Sequence, residues 1–387
     1  MKNKFDLTVF YPGYTFYNYH FLDELNKLAN DGFKIQIIFI RGIRSDSNFQ
    51  KDHTLSANMK VMNCNFKGIR VNDYTLKTNF KLMMLIFKSV MQSRKILTST
   101  QAPLHSKYAF VFSKILLREF SVVVEQWRDY CTNNFVMKAY KYFGYFIIRN
   151  SNKVFVHGAS QREFALDDLR VKEKNVKVLP FLSRAPFIQG RGKDKDVVNV
   201  LYFGRVTEQK GLDILIKAFN KIKTSKKIKL LICGGVDKRF HWETIEANKY
   251  LDYCIELSKN NKKIEFFGEI PPSEKDSYFA NSDIFVHPHK NFKDKNDGWG
   301  LVVNEALAYG LPIISTSKVG SATTLVKNNQ NGYIVAPSSI NELKAKLTIL
   351  IENDMMRNGF SDYSFRVFDE YHNPKKINEV IHDFIRI

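Results

Sequence analysis

Val198-Asn199-Val200-Leu201-Tyr202-Phe203-Gly204-Arg205-Val206-Thr207-Glu208-Gln209-Lys210-Gly211 runs into Leu212, Leu215, Ile216 and Phe219, which repeat at helical spacing. The run reads as a strand, a glycine-bearing polar turn and a helix, the opening unit of a parallel α/β sheet. Its turn carries two cations. Arg205 and Lys210 stand at a helix start, where the aligned peptide dipoles already present partial positive charge and disfavour lysine and arginine. Either both side chains are simply solvated, or an anion shared with the free backbone N–H groups holds them there. A diphosphate is the natural candidate for that anion.

The same alternation extends downstream. Strands are predicted at 198–203, 229–233, 264–267, 284–287, 312–315 and 332–335, with helices at 210–223, 241–260, 273–280, 301–309, 321–327 and 339–352 between them. Upstream, a polar, glycine-bearing stretch at 183–197 reads as a linker. Before it, Leu7-Thr8-Val9-Phe10-Tyr11, the helically spaced Phe21, Leu22, Leu25 and Leu28, and Ile35-Gln36-Ile37-Ile38-Phe39-Ile40 form a second strand, helix, strand unit. It continues through strands at 121–124, 153–156 and 176–179 and helical patterns at 80–95, 107–118, 133–149 and 160–170. The expected fold class is α/β, with two doubly wound Rossmann-like domains facing a central cleft and ligands at the carboxyl ends of the strands. The first domain spans 1–185 and the second 186–370.

The 387 residues suit two domains, and the apolar and charged fractions of 44% and 25% are those of a globular chain. Cys64, Cys131, Cys233 and Cys254 form no CxxC pair, which argues against a zinc site or a disulfide framework and for a reducing cytoplasm. The start of the chain meets Asp6 before any signal-like apolar run, and no stretch approaches the ~20 apolar residues of a membrane span. Net charge is +20, and residues 1–190 hold 29 Lys and Arg against 14 Asp and Glu. Such a field favours an anionic partner: nucleic acid, an acidic membrane surface or an anionic substrate.

A second constellation follows the strand at 284–287: Asp297-Gly298-Trp299-Gly300-Leu301-Val302-Val303-Asn304-Glu305-Ala306-Leu307. Its glycines let backbone approach a ligand where a helix begins. Glu305 lies among apolar neighbours and needs a partner there, which the hydroxyls of a ribose would supply. A helix-start aspartate with a surface glutamate is the plainer alternative.

Together with Phe267-Gly268, Ser282-Asp283-Ile284-Phe285-Val286-His287-Pro288, Gly310-Leu311-Pro312-Ile313-Ile314 and Asn331-Gly332, these blocks resemble the retaining, nucleotide-sugar-dependent glycosyltransferases of family four, which share the two-Rossmann-domain GT-B architecture. The resemblance covers residues 198–350 in order and spacing. It implies a hexose-type transfer from a nucleotide-diphosphate sugar, commonly UDP-linked, to a glycan or lipid-linked acceptor of surface polysaccharide, lipopolysaccharide or capsule. Arg205 and Lys210 would hold the diphosphate, Glu305 the ribose hydroxyls and Asp297 the hydroxyls of the sugar. Backbone of Gly204, Gly298, Trp299, Gly300, Leu301 and Val302 would line sugar and phosphates, with the base near Gly235 and Gly268, Glu269 and Ile270. Gly13 matches the glycine loop that approaches the diphosphate from the opposite domain. The family's last helix crosses back, so 371–387, amphipathic from Pro374, is expected to complete the first domain.

Two departures stand out. Position 297 holds aspartate where the family usually has glutamate, and Glu125-Gln126-Trp127-Arg128-Asp129 lacks the histidine that many members carry there. His20 and His105 lie nearby in motif order. With Tyr14 and Tyr17 of an aromatic first loop, and Glu125 and Trp127, they are the candidate acceptor residues; packing around a turn accounts for the tyrosines equally well. No cofactor and no catalytic metal are expected, since no paired carboxylate ligand set appears in a suitable loop.

Residues 80–88 and 135–146 interleave lysines with apolar side chains. The first run suits a membrane-interface helix and a core helix equally, and the second reads better as core. A cytoplasmic enzyme held peripherally at the inner face of the cell membrane is the leading expectation. A nucleic-acid-binding protein is disfavoured, because no helix-turn-helix, RRM or zinc-finger pattern is present and the motif-bearing half has little net charge. A catalytically silent nucleotide-binding homologue is the remaining alternative.

Overall fold

A computed structural model of the chain describes residues 3–12, 19–40, 55–64, 76–99, 104–124, 135–183, 196–236, 241–292 and 296–386. Gly13, Tyr14, Tyr17, Glu125 and Trp127 lie outside them, as does most of the expected linker. The chain forms two units: Met1–Trp127, Thr132–Leu182 and Asn373–Ile387 belong to one, and the other is built on Ser183–His372.

The first unit contains β1 (Phe5–Tyr11), α1 (Tyr19–Asn30), β2 (Ile35–Phe39), β3 (Met59–Asn63), α2 (Leu76–Met91), β4 (Ser93–Thr98), α3 (Leu104–Ile115), β5 (Glu119–Val124), α4 (Phe135–Arg149), β6 (Lys153–Val156), α5 (Ala159–Glu163) and β7 (Val176–Val178). A π turn, Phe164–Asp168, extends α5. All seven strands pair in parallel in the order β3-β2-β1-β4-β5-β6-β7. A parallel sheet needs both faces covered. Leu82, Ile86 and Val90 of α2, Phe110 of α3 and Ile147 and Ile148 of α4 bury one face into a common core with Phe10, Ile96, Phe120 and Val122.

Two strands of this sheet differ from the sequence expectation. The predicted helix at 80–95 stops at Met91, and Ser93–Thr98 is β4. Ile96 and Leu97 prolong the apolar pattern of α2, but each finds partners on both sides, Thr8 and Val9 on β1 and Phe120 and Ser121 on β5. Pairing on two edges outweighs local periodicity. β3, an edge strand of mixed character (MKVMN), carries no signal of its own. The run 135–146, expected as core, is buried along one side only: Phe135, Tyr142 and Phe146 are exposed.

The second unit contains β8 (Val197–Phe203), α6 (Leu212–Asn220), β9 (Lys227–Cys233), α7 (His241–Ser258), β10 (Ile264–Gly268), α8 (Lys275–Ala280), β11 (Ile284–His287), α9 (Val302–Ala308), β12 (Ile313–Thr316), α10 (Gly320–Leu325), β13 (Gly332–Val335), α11 (Ile340–Glu352) and α12 (Asp354–Tyr371). Its six parallel strands lie in the order β10-β9-β8-β11-β12-β13. The strand order reverses beside β8, the switch point where a doubly wound sheet opens a crevice at its carboxyl edge. α12, absent from the sequence reading, is capped by Asn353, whose side chain accepts from the Met356 N–H at 2.9 Å.

The terminal helix α13 (Pro374–Arg386) belongs to the first unit. Its Ile377, Ile381, Phe384 and Ile385 are buried; it packs on α1, and Phe384 meets Phe155 edge-on at 5.4 Å. Described residues contain no helix long and apolar enough to cross a membrane.

Candidate functional site in the second unit

The site is built where β8, β11 and β12 end side by side. Past β8 the chain turns at Gly204, whose N–H donates to Cys233 O at 2.9 Å, and exposes Arg205. Tyr202, fully buried, fixes this turn by donating its hydroxyl to Arg205 O at 2.9 Å. Gly234 is confined by the same turn: a Cβ there would lie 1.8 Å from Gly204 O, so no other residue fits. A short helical turn, Glu208–Lys210, then delivers Lys210 and ends at Gly211, in the left-handed region at φ +71°. A Cβ on Gly211 would sit 2.0 Å from Pro288 O, so this glycine lets the β8 loop close onto the end of β11.

That closure joins three side chains. Asp297 Oδ2 accepts from Lys210 Nζ and, at 2.9 Å, from His287 Nε2. His287 ends β11, and Asp297 is held by its own N–H donating to Lys318 O at 2.8 Å beyond β12. Burial pushes the Asp297 carboxyl up, but the Lys210 ammonium and the His287 N–H outweigh it and hold it well below the usual carboxylate range. Burial and Lys210 lower the pKa of His287, so the ring is neutral and carries its proton on Nε2 toward the carboxylate. Its Nδ1 and the Nε2 of His289 are buried without a hydrogen-bond partner among the described residues. Burial and Lys210 bring His289 down to about 4.

The sequence left Lys210 either solvated or paired with a bound anion. The structure supplies one internally, the Asp297 carboxylate, 87 positions along the chain.

Glu305, buried on α9, likewise has a protein partner where a ligand had been invoked. Lys275, at the start of α8, forms an ion pair with Glu305 Oε1. Burial raises the Glu305 pKa and Lys275 offsets this only in part. A third buried carboxylate, Asp213, accepts from the Tyr250 hydroxyl at 2.6 Å and from Lys290 Nζ at 3.0 Å. Lys290 stands three residues past β11, and its N–H donates to Gln209 O at 2.9 Å, so this network braces the loop that carries Lys210.

The glycine block after Asp297 folds tightly. Gly300 adopts φ +80°, and a Cβ there would meet Val319 Cγ1 at 2.8 Å and Asp297 Oδ2 at 3.1 Å. Trp299 is buried, its indole N–H donating to Asn304 Oδ1 at 2.8 Å and its ring stacked on Tyr371 at 5.7 Å, so only its backbone is available to a ligand. Gly298, Leu301 and Val302 are half-buried around it. At the far side, a Cβ on Gly235 would come 3.3 Å from Glu269 Cβ, bringing the ends of β9 and β10 together, with Gly268 at φ +68° and Ile270 half-buried.

Of the expected acceptor residues, His20 is half-buried on α1 and His105 is buried in the first turn of α3. Described residues hold no group of three or more His, Cys, Asp or Glu side chains placed to bind a metal ion. His287, Lys275, Lys290, Asp213 and Tyr250 were missed as site residues. His287 lay inside a quoted motif; Lys275 had no signal, since Glu305 is 30 positions away.

The family model of glycosyl transferases group 1 matches residues 183–367. A glycosyltransferase of Methanocaldococcus jannaschii is 28% identical over 187 residues, 48% of this chain and 41% of the relative. The capsular polysaccharide biosynthesis glycosyltransferase CapM of Staphylococcus aureus is 28% identical over 203 residues, 52% of this chain and 45% of the relative. The chain thus spans less than half the length of these relatives. The crystal structure of Anabaena HepE in complex with UDP and glucose superposes with a TM-score of 0.69 over 98% of this chain and 99% of that one at 14% identity, which shows a shared fold of two Rossmann-like domains. The glycosyl transferases group 1 model thus matches nearly all of the second unit, residues 183–367, and the chain is similar there to glycosyltransferases.

Proposed function

We propose that the protein transfers a hexose-type sugar, with retention at the anomeric carbon, from a UDP-linked donor to a glycan or lipid-linked acceptor in the assembly of a surface polysaccharide. The observation that carries the reading is the cluster of Lys210, Asp297 and His287 beside Arg205 at the switch point of the second sheet. CapM, a capsule glycosyltransferase, and HepE, whose crystal structure holds UDP and glucose, support the acceptor class and the donor.

In this reading an ionised Asp297 accepts hydrogen bonds from hydroxyls of the donor sugar, and His287 keeps the carboxylate aimed while staying neutral. The arriving diphosphate draws the Lys210 ammonium off Asp297 and pairs with it and with Arg205. As the bond from the anomeric carbon to the diphosphate oxygen breaks, negative charge grows on the leaving group where those two cations stand. The acceptor hydroxyl attacks from the same face and its proton leaves with the diphosphate. Glu305 takes the ribose hydroxyls in place of part of its contact with Lys275.

The test is release of UDP from a panel of UDP-sugars, with and without lipid-linked glycan acceptors, for wild type, Arg205→Ala and Lys210→Met. Removing one such charge-stabilising donor lowers the rate about 10²- to 10³-fold. Rates unchanged in both variants would remove the two cations from the mechanism, and nucleotide binding without any turnover would mark a silent homologue.

A further inference from the structure

Three of the helices on one face of the first sheet, α2, α3 and α4, contain no acidic residue; the acids of that layer, Glu163, Asp167 and Asp168, stand on α5 and its π turn beside α4. α2, α3 and α4 hold Lys77, Lys81, Lys88, Lys107, Lys114, Lys138, Lys141 and Arg149, and not one Asp or Glu. Around them, residues 74–162 carry fourteen Lys and Arg against Glu119, Glu125 and Asp129. A helix that covers a sheet ordinarily buries an apolar stripe and turns a polar, mixed-charge face to water. These three do the first and not the second.

Their outer stripes are apolar. On α2 the exposed positions are Phe80, Met84 and Lys88, one turn apart, with Lys81 beside the first; on α3 they are Val111, Lys114 and Ile115; on α4 they include Phe135, Lys138, Tyr142, Phe146 and Arg149. Leu117, in the turn after α3, is 92% exposed. Eight of the 17 large apolar side chains exposed among the described residues therefore sit on this one layer. The inner stripes are spent on the core: Leu82, Ile86, Val90, Phe110, Ile147 and Ile148 are buried, so the helices cannot rotate to hide the outer residues. The layer is one surface, because Phe87 of α2 packs on Phe112 of α3 at 5.2 Å and Phe110 of α3 on Phe146 of α4 at 5.9 Å.

Apolar side chains interleaved with lysines, free of acids, match a surface whose outer layer is anionic and whose next layer is hydrocarbon. We infer that the α2–α3–α4 face docks on an anionic lipid bilayer, with Phe80, Met84, Ile115 and Phe146 entering the interface and Lys81, Lys88, Lys114 and Lys138 at the headgroups. Long lysine stems reach the headgroups from between the apolar groups. A protein partner would present carboxylates in fixed positions, and fixed partners require spaced, oriented cations; here the cations flank continuous apolar stripes along three parallel ridges, the pattern a fluid charged plane accepts. The inference goes beyond the transfer reaction and is read without donor or acceptor, so it stands or falls separately from it.

The experiment is cosedimentation of the whole chain with vesicles of phosphatidylcholine containing 30 mol% phosphatidylglycerol, and with phosphatidylcholine alone, at about 0.1 M and 0.5 M salt. Binding is expected to the anionic vesicles only and to weaken at high salt. The triple variant Phe80→Ser, Ile115→Ser, Phe146→Ser should bind at least ~10-fold more weakly, and Lys81→Gln, Lys88→Gln, Lys138→Gln should lose about fivefold per lysine. Met355→Ser, which removes an 86% exposed side chain from the second unit, should bind as wild type. Thermal unfolding of each variant verifies folding; because the altered positions are exposed, wild-type midpoints are expected. Equal binding by the triple serine variant, equal binding to neutral vesicles, or concentration-dependent self-association through this face with no vesicle binding would each overturn the inference.

Discussion

Lys275→Met isolates the role of the ion pair with Glu305. The two side chains are 19% and 11% exposed, so the substitution leaves a mostly buried carboxylate without its cation. Breaking a fully buried pair by removing one partner costs about 3–5 kcal/mol. With a fifth of Lys275 in water, about 2 kcal/mol is expected, a fall in midpoint of roughly 4–8 °C for a unit of this size. The sign of the pH dependence follows from Glu305, whose pKa burial already raises above the ordinary value of 4.5. A carboxyl raised in the folded state favours folding below its unfolded value and loses that contribution as pH rises through the folded value. Removing Lys275 raises it further, so the deficit against wild type should be large at pH 7.5 and much smaller at pH 5.0. Lys275→Met with Glu305→Gln should recover most of the loss at pH 7.5, because no buried charge is left. Thermal unfolding of the four proteins at both pH values is the assay. A deficit equal at both pH values and not recovered in the double variant would mean that packing of the lysine stem, and not charge, is what was lost.

Three further outcomes follow from the fold. Gly211→Ala forces a left-handed φ of +71° and a Cβ 2.0 Å from Pro288 O, so denaturant unfolding should show a loss of at least ~2 kcal/mol, together with reduced UDP release as Lys210 is displaced. Tyr250→Phe removes the hydroxyl that donates to the buried Asp213 at 2.6 Å and should cost about 1–3 kcal/mol in the same measurement. Ile381→Asp puts an unpaired carboxylate into the buried seam between α13 and the rest of the first unit, and insoluble or protease-sensitive protein is expected, checked by limited proteolysis.

The second unit was the more legible of the two. Its strands β11 and β12 are buried throughout and its turns carry glycines that the backbone requires, at Gly211, Gly300 and Gly310, so periodicity and punctuation agree. Gly310 illustrates the limit: its φ of +60° marks a helix end, but the ring that a Cβ there would meet is Phe365 of α12, a helix that the polar run Asp354–Tyr371 gave no reason to expect. In the first unit the α2 to β4 boundary was misplaced because Ile96 and Leu97 continue a helical pattern that only pairing with β1 and β5 overrides. The site followed the same rule. Arg205, Lys210, Asp297 and Glu305 stand out by residue type within motifs. Two of their partners, His287 and Lys275, are defined by contacts across 10 and 30 positions, and the Lys210 to Asp297 contact itself spans 87, none of which a local pattern encodes.

The most direct measurement of the central claim is calorimetric titration of UDP, with GDP and ADP alongside, into wild type, Arg205→Ala and Glu305→Ala. The account predicts that UDP binds the wild type and that each variant weakens it at least tenfold, the first through the diphosphate and the second through the ribose. UDP binding that survives both substitutions unchanged, or no nucleotide binding to a folded wild type, would contradict it.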